Sequence, residues 1–308
     1  MTNDNTFKNR SNGLADAVER AGPGVALVSG RRRFPASGIV FRSGLVLTAD
    51  HVVEREDGIT VQLAGGAEFE ATIAGRDPGS DLALLKLETE IGDAITPAAA
   101  EARVGELVLA LGRPSASGIQ ASLGVVSAVR GFVRVSGRRR RRRHSTVSGE
   151  SFIHTDAIPY PGFSGGPLIN AAGEVLGLNT SGLVHGTSLA IPISRALDLA
   201  AMLAEHGSVR RGYLGVRSQH TPLDEKQQEA LGREQEAGLL IVWIEEASPA
   251  GKAGIIVGDI LVGLNGEIVD DHESLQDNLT GELVELAVEV EVLRGGAPAR
   301  LSVTIGSR

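Results

Sequence analysis

Gly162-Phe163-Ser164-Gly165-Gly166-Pro167 surrounds one serine with unusually free backbone. A serine hydroxyl is a weak nucleophile until a base takes its proton and fixed donors receive the charge that develops on the substrate. Glycine on both sides opens backbone angles closed to other residues, so that amide N–H groups can converge beside the hydroxyl. Alone, the stretch fits a tight loop as well as a nucleophile turn. A base and an orienting acid elsewhere in the chain decide between them. His51, in Thr48-Ala49-Asp50-His51-Val52-Val53, follows the apolar run Gly44-Leu45-Val46-Leu47 and sits just past the end of a predicted strand. Asp81, in Gly79-Ser80-Asp81-Leu82-Ala83-Leu84-Leu85-Lys86, stands at the mouth of another. Taken singly, a histidine among seven is usually structural, and such an aspartate reads equally as a turn or capping carboxylate. Together they give the order His, Asp, Ser, which is that of the chymotrypsin-type double barrel and not of subtilisins or α/β-hydrolases.

These three segments, with Phe152-Ile153-His154-Thr155-Asp156-Ala157 before the serine and Gly177-Leu178-Asn179-Thr180 after it, resemble the HtrA/Deg family of trypsin-like serine proteases. The resemblance runs over residues 14–308. It implies a mostly β chain: two six-stranded barrels with a site in the cleft between them, then a C-terminal PDZ domain. It also implies peptide-bond hydrolysis through an acyl-enzyme, with no metal or organic cofactor. Ser164 is then the nucleophile, His51 the base and Asp81 its orienting acid, while the Gly162 and Ser164 amides form the oxyanion hole. By the same resemblance Ile158 lies at the base of the specificity pocket, favouring small or medium apolar side chains. Asn179, Thr180 and Ser181 supply the pocket wall. Phe163 departs from the family's usual asparagine, and its ring is expected to change how the oxyanion loop packs.

Composition sets the outer limits. A length of 308 residues fits about two domains, 42% hydrophobic residues can build a sizeable core, and 40 glycines suit a turn-rich β chain. Aromatics make up only 3%, which leaves Val, Leu, Ile and Ala to fill the interior. The absence of cysteine excludes disulfides, thiol catalysis and thiolate metal sites. The polar start Met1-Thr2-Asn3-Asp4-Asn5-Thr6-Phe7 lacks the apolar stretch of a signal peptide, and no run is long enough for a spanning helix. The chain therefore reads as cytoplasmic, or as exported if a leader has been removed.

Along the chain, residues 1–13 read as disordered and Leu14–Arg20 as a short helix. Val25 to about Ile191 shows short β-branched runs punctuated by Gly, Pro, Asp and Ser. Ser194–His206 changes to helical spacing, with Ser194 as N-cap, Leu199, Met202 and Leu203 recurring, and Gly207 as the stop. The protease domain thus spans 14–208 and the PDZ domain 209–308. Tyr213-Leu214-Gly215-Val216 resembles the carboxylate-binding loop of a PDZ domain. His272–Leu279 is its expected groove helix, with Leu275 and Leu279 one turn apart. Ordinary core burial is the alternative for both leucines. Such a domain binds C-terminal peptides by strand addition, recruiting substrate or biasing the protease between inactive and active loop arrangements.

Arg138–Arg143 is an unbroken run of six arginines followed by His144. A solvated loop is the first reading. Contact with a polyanion such as nucleic acid, polyphosphate or acidic lipid is the second. Docking on an acidic PDZ domain is the third, because residues 209–308 hold 9 Lys+Arg against 17 Asp+Glu. The function expected overall is an endopeptidase of unfolded or misfolded proteins, working as a homotrimer. Phe7 is the sole aromatic before residue 34 for an N-terminal trimer contact. The alternative is a non-proteolytic chaperone or PDZ scaffold on a protease fold.

Overall fold

The computed structural model describes residues 2–32, 34–89, 95–129, 152–183, 188–209, 212–279 and 281–307. It divides after Val209 into two compact units. Arg138–Arg143 lies outside the described residues.

The first unit opens with α1 (Thr2–Ala21) and the six strands β1 (Val25–Ser29), β2 (Ala36–Arg42), β3 (Leu45–Ala49), β4 (Ile59–Gln62), β5 (Glu68–Asp77) and β6 (Leu82–Leu87). They close into a barrel in the order β1-β2-β3-β6-β5-β4. A second barrel follows from β7 (Leu107–Ser115), β8 (Gly118–Val129), β9 (Ile153–Thr155), β10 (Pro167–Asn170), β11 (Val175–Thr180) and β12 (Ser188–Pro192). Its order is β10-β11-β12-β9-β8-β7. Closure leaves neither sheet with an open edge. Aliphatic strands such as Leu82-Ala83-Leu84-Leu85 are buried on both faces, so side chains alone fill the barrels.

Two registers decide where function can sit. Antiparallel pairing of β3 with β6 sets Ala49 opposite Leu82, which delivers the following Asp50-His51 to the residue before Leu82, Asp81. In the other barrel, β10 pairs with β11 through Pro167 and Leu178. The Gly165 amide donates to the Asn179 carbonyl (2.8 Å) and the Asn179 amide to the Gly166 carbonyl (2.8 Å). The serine turn is thereby fixed against the end of β11.

The helices show where a sequence expectation needs correcting. α1 runs from Thr2, so residues 2–13 are helical and not disordered. Leu14, Ala17, Val18 and Ala21 recur at i, i+3, i+4 and i+7 and pack on the barrel core, with Ala17 and Ala21 buried. That anchored face carries the polar half before it. α2 (Ile193–His206) starts one residue before Ser194, and Pro192 stands at its cap position with no side-chain bond. Ser194 is therefore inside the helix. The buried face is Ala196, Leu199, Ala200 and Leu203, while Met202 points outward at 47% exposure. Gly207 ends the helix in the left-handed region (φ 72°), its amide donating to the Leu203 carbonyl.

The second unit has a five-stranded path of β14 (Val216–Pro222), β15 (Ala237–Ile244), β16 (Ile260–Leu264), β18 (Ala287–Arg294) and β19 (Ala297–Thr304), with β17 (Glu267–Ile268) beside β16. β13 (Gly212–Tyr213) pairs with β20 (Gly306–Ser307). Its helices are α3 (Glu225–Leu231), α4 (Pro249–Lys252) and α5 (His272–Asn278). It holds its own core, including Leu239, Ile241, Leu261, Val290 and Val292. No described helix is long and apolar enough to cross a membrane.

Candidate active site

Asp81 holds His51 at three points. Its carboxylate receives His51 Nδ1 at 2.8 Å (Oδ2) and 3.0 Å (Oδ1), and Oδ1 also accepts the His51 amide at 2.9 Å. The Asp81 carbonyl accepts the Asp50 amide at 3.1 Å. This needs an unusual backbone: Asp81 has φ 57°, a left-handed conformation rare outside glycine but best tolerated by Asp and Asn. Asp81 is 4% exposed, so its charge is held by protein donors and not by water. The last donor is the Thr180 hydroxyl, at the end of β11. On the other side, Arg76 clamps the short turn carrying His51: Nε donates to Asp50 Oδ1 (2.6 Å) and Nη2 to the Val53 carbonyl (2.9 Å).

Ser164 stands on the turn fixed to β11. Gly162 (φ 90°) and Gly165 (φ 84°) both occupy the region that disfavours side chains. A Cβ on Gly162 would also lie 2.6 Å from Pro114 Cβ, and one on Gly165 would run into the Ser37 carbonyl. Neither the Gly162 nor the Ser164 amide donates to a protein acceptor among the described residues. Phe163, 1% exposed, is driven into the second barrel's core, with its ring edge-on to Tyr160 at 5.5 Å and 74°. The ring thus anchors the turn from below.

The end of β11 gathers the two barrels' contributions. Thr180 reaches Asp81, Ser181 meets Ser164 with the two hydroxyl oxygens 2.9 Å apart, and Gly182 lies against the His51 ring. Among the described residues Ser164 makes no hydrogen bond to His51; its partner is Ser181.

A cleft of about 380 Å³ opens beside Ser164, lined on its apolar side by Ala110, Tyr160, Phe163 and Leu189. Asn179, Thr180 and Ser181 line it too. The Asn179 side chain, however, is 6% exposed and donates to the Pro167 carbonyl at 2.9 Å. Ile158 does not line it: this residue is 56% exposed, its amide held by Ser122 Oγ at 2.9 Å. Apart from Phe163, the apolar lining named here comes from residues outside the quoted motifs. Sequence reasoning also missed Ser37, Arg76 and Gly182, whose roles depend on contacts between distant strands.

In the second unit, Gly215 (φ 79°) turns the Tyr213–Val216 segment. The Leu214 and Gly215 carbonyls accept the Ala250 amide (2.9 Å) and the Glu245 amide (2.8 Å). Leu214 and Leu275 are buried core residues, and Leu279 packs against that core. Val216 begins β14 and is half-buried. His272, first residue of α5, reaches β14 with Nε2 3.1 Å from Ser218 Oγ. That link between helix and strand was not anticipated.

Family models agree with this division: residues 36–178 match the trypsin-like peptidase domain and residues 212–305 the PDZ domain. A DegP-like periplasmic serine endoprotease of Ectopseudomonas mendocina is 38% identical over 275 residues, covering 87% of this chain and 55% of that protein. One from Halomonas elongata is 35% identical over 291 residues, covering 92% and 59%. The chain thus spans somewhat more than half the length of these curated relatives. Among solved structures, the HtrA-type protease AlgW with a tripeptide is 31% identical with a TM-score of 0.79, covering 96% of this chain and 97% of that one. The relatives' periplasmic naming overturns the cytoplasmic expectation. That expectation rested on the polar residues 1–7 and the lack of a spanning run, and neither feature of a given sequence decides a protein's compartment. With a trypsin-like double barrel, a PDZ unit and relatives of this similarity, the chain belongs to the HtrA family of trypsin-like serine proteases.

Proposed function

We propose that the chain is a serine endopeptidase acting on unfolded polypeptides in the periplasm. The observation that carries this reading is the His51–Asp81 pair: Nδ1 is committed to the carboxylate at 2.8 Å, which leaves Nε2 as the base. The Ser164 hydroxyl turns from Ser181 to His51 and attacks the substrate carbonyl carbon as its proton passes to Nε2. The developing oxyanion is received by the uncommitted Gly162 and Ser164 amides. His51 then protonates the leaving amine as the C–N bond breaks. Water deprotonated by His51 releases the acyl group and restores Ser164.

The apolar lining of Ala110, Tyr160 and Leu189 supports small or medium apolar side chains at the cleaved position. The PDZ unit binds peptides, substrate C-termini included, along β14. The HtrA-type relatives support assembly as a homotrimer, which light scattering of the purified chain tests by mass. A polyanion contact by Arg138–Arg143 would appear as salt-dependent activity lost on neutralising the run. The primary test is a fluorophosphonate probe. Labelling that vanishes in Ser164→Ala, together with cleavage of a denatured protein, supports the endopeptidase. A wild-type chain that never labels, with or without peptides offered to the PDZ unit, rules it out.

A further inference from the structure

Ser37 is a buried hydroxyl in the first barrel, 0% exposed, with no place in the mechanism above. Two of its hydrogen bonds reach the serine turn. Its Oγ donates to the Gly162 carbonyl at 2.6 Å, and its amide donates to the Ser164 carbonyl at 3.1 Å. The Arg113 amide donates to the same Oγ at 2.8 Å, and Thr48 Oγ1 donates to the Ser37 carbonyl at 2.7 Å. A hydroxyl has one proton to give. With Arg113 filling a lone pair, that proton is directed at Gly162.

We propose that Ser37 is a positioning residue for the oxyanion hole, holding Gly162 from the opposite barrel. This rests on Ser164 being the nucleophile and the Gly162 amide an oxyanion donor. Gly162 has no side chain and adopts φ 90°, so nothing of its own fixes the peptide planes on either side of it. Phe163 anchors the turn into the second barrel. Ser37 anchors it into the first, gripping the carbonyls of Gly162 and Ser164, each in the peptide plane that follows an amide proposed as an oxyanion donor. Oxyanion donors work through prior alignment, and misplacement by about an ångström is costly in rate.

The test uses the full chain, a fluorogenic peptide with an apolar residue before the scissile bond, and a peptidyl boronic acid whose tetrahedral adduct occupies the oxyanion hole. In Ser37→Ala, kcat should fall about tenfold or more with KM within about twofold. Boronate affinity should fall by a similar factor. A variant that only melts lower, with kcat and boronate affinity unchanged, overturns the inference, because a structural role moves stability alone. Should Ser37→Ala fail to fold, Ser37→Cys, a weaker donor of similar shape, is read by the same criteria. A wild type inert toward both peptide and boronate overturns the nucleophile reading itself. An active wild type beside an equally active Ser37 variant overturns this inference alone.

Discussion

Gly182 has no side chain because His51 and Asp81 fill the space that one would need. A Cβ there would lie 2.5 Å from His51 Nδ1 and 2.8 Å from Asp81 Oδ2, closer than van der Waals contact permits. Gly182→Ala should therefore push the imidazole off its carboxylate while leaving both cores intact. We expect kcat to fall about a hundredfold, as an ångström-scale displacement of a catalytic group does, with a melting midpoint near wild type. Wild-type kcat in a folded Gly182→Ala chain would show that the ring has room to give. Ser181 makes the opposite prediction. Its hydroxyl holds that of Ser164 at 2.9 Å, and one neutral hydrogen bond is worth about 1 kcal/mol. Ser181→Ala should free the nucleophile and speed fluorophosphonate labelling about fivefold; a slower rate would mean that Ser181 assists Ser164. His51, Asp81 and Ser164 could be singled out in the sequence as a candidate triad because each sits in a local motif with a strand before or after it. Gly182, Ser37 and Arg76 could not, because the contacts that give them their roles reach partners at least 23 positions away and nothing local distinguishes them.

At the scale of elements, short aliphatic runs between turn residues made an all-β sandwich or barrel legible, and the two six-stranded barrels followed from the family resemblance. The N-terminal segment was misread for a physical reason. Apart from Met1 and Phe7 its first dozen residues are polar, and polarity without visible periodicity reads as disorder, whereas the helix is held by four residues at its far end. Isolated helices are weak, and tertiary packing of one face supplies most of their stability. Ala17, 0% exposed, is the centre of that face. An aspartate there buries an unpaired charge, so Ala17→Asp should cost the first unit about 3 kcal/mol. Hydrogen exchange should show α1 losing protection along its whole length, polar half included. Protection kept over residues 2–13 would mean that this half is stabilised independently of the core contact.

At the scale of the whole molecule, the two units bury separate cores, and Trp243, the chain's one tryptophan, lies in the second with Arg217 stacked 4.6 Å from its ring. Its fluorescence therefore reports unfolding of the PDZ unit. That unit also holds a buried carboxylate, Asp259, 0% exposed. Burial alone would raise its pKa. The hydrogen bond from Arg294, the Ile256 amide and the Arg294 charge together outweigh that and hold it below the ordinary carboxylate range. A depressed folded-state pKa means that the unfolded chain binds the proton more readily. The stabilisation is then complete above the unfolded value of about 4 and is lost as pH falls through the folded one. The Trp243 transition in urea should accordingly weaken as pH drops below about 4. In Asp259→Ala the stability at neutral pH should be lower by about 2 kcal/mol, through the lost hydrogen bonds from Arg294 and the Ile256 amide, with less of the acid dependence remaining. Because the carboxylate belongs to the PDZ core alone, the same variant should keep wild-type fluorophosphonate labelling of Ser164 at neutral pH. A Trp243 transition with undiminished acid dependence in Asp259→Ala would assign that dependence to other carboxylates of this acidic unit.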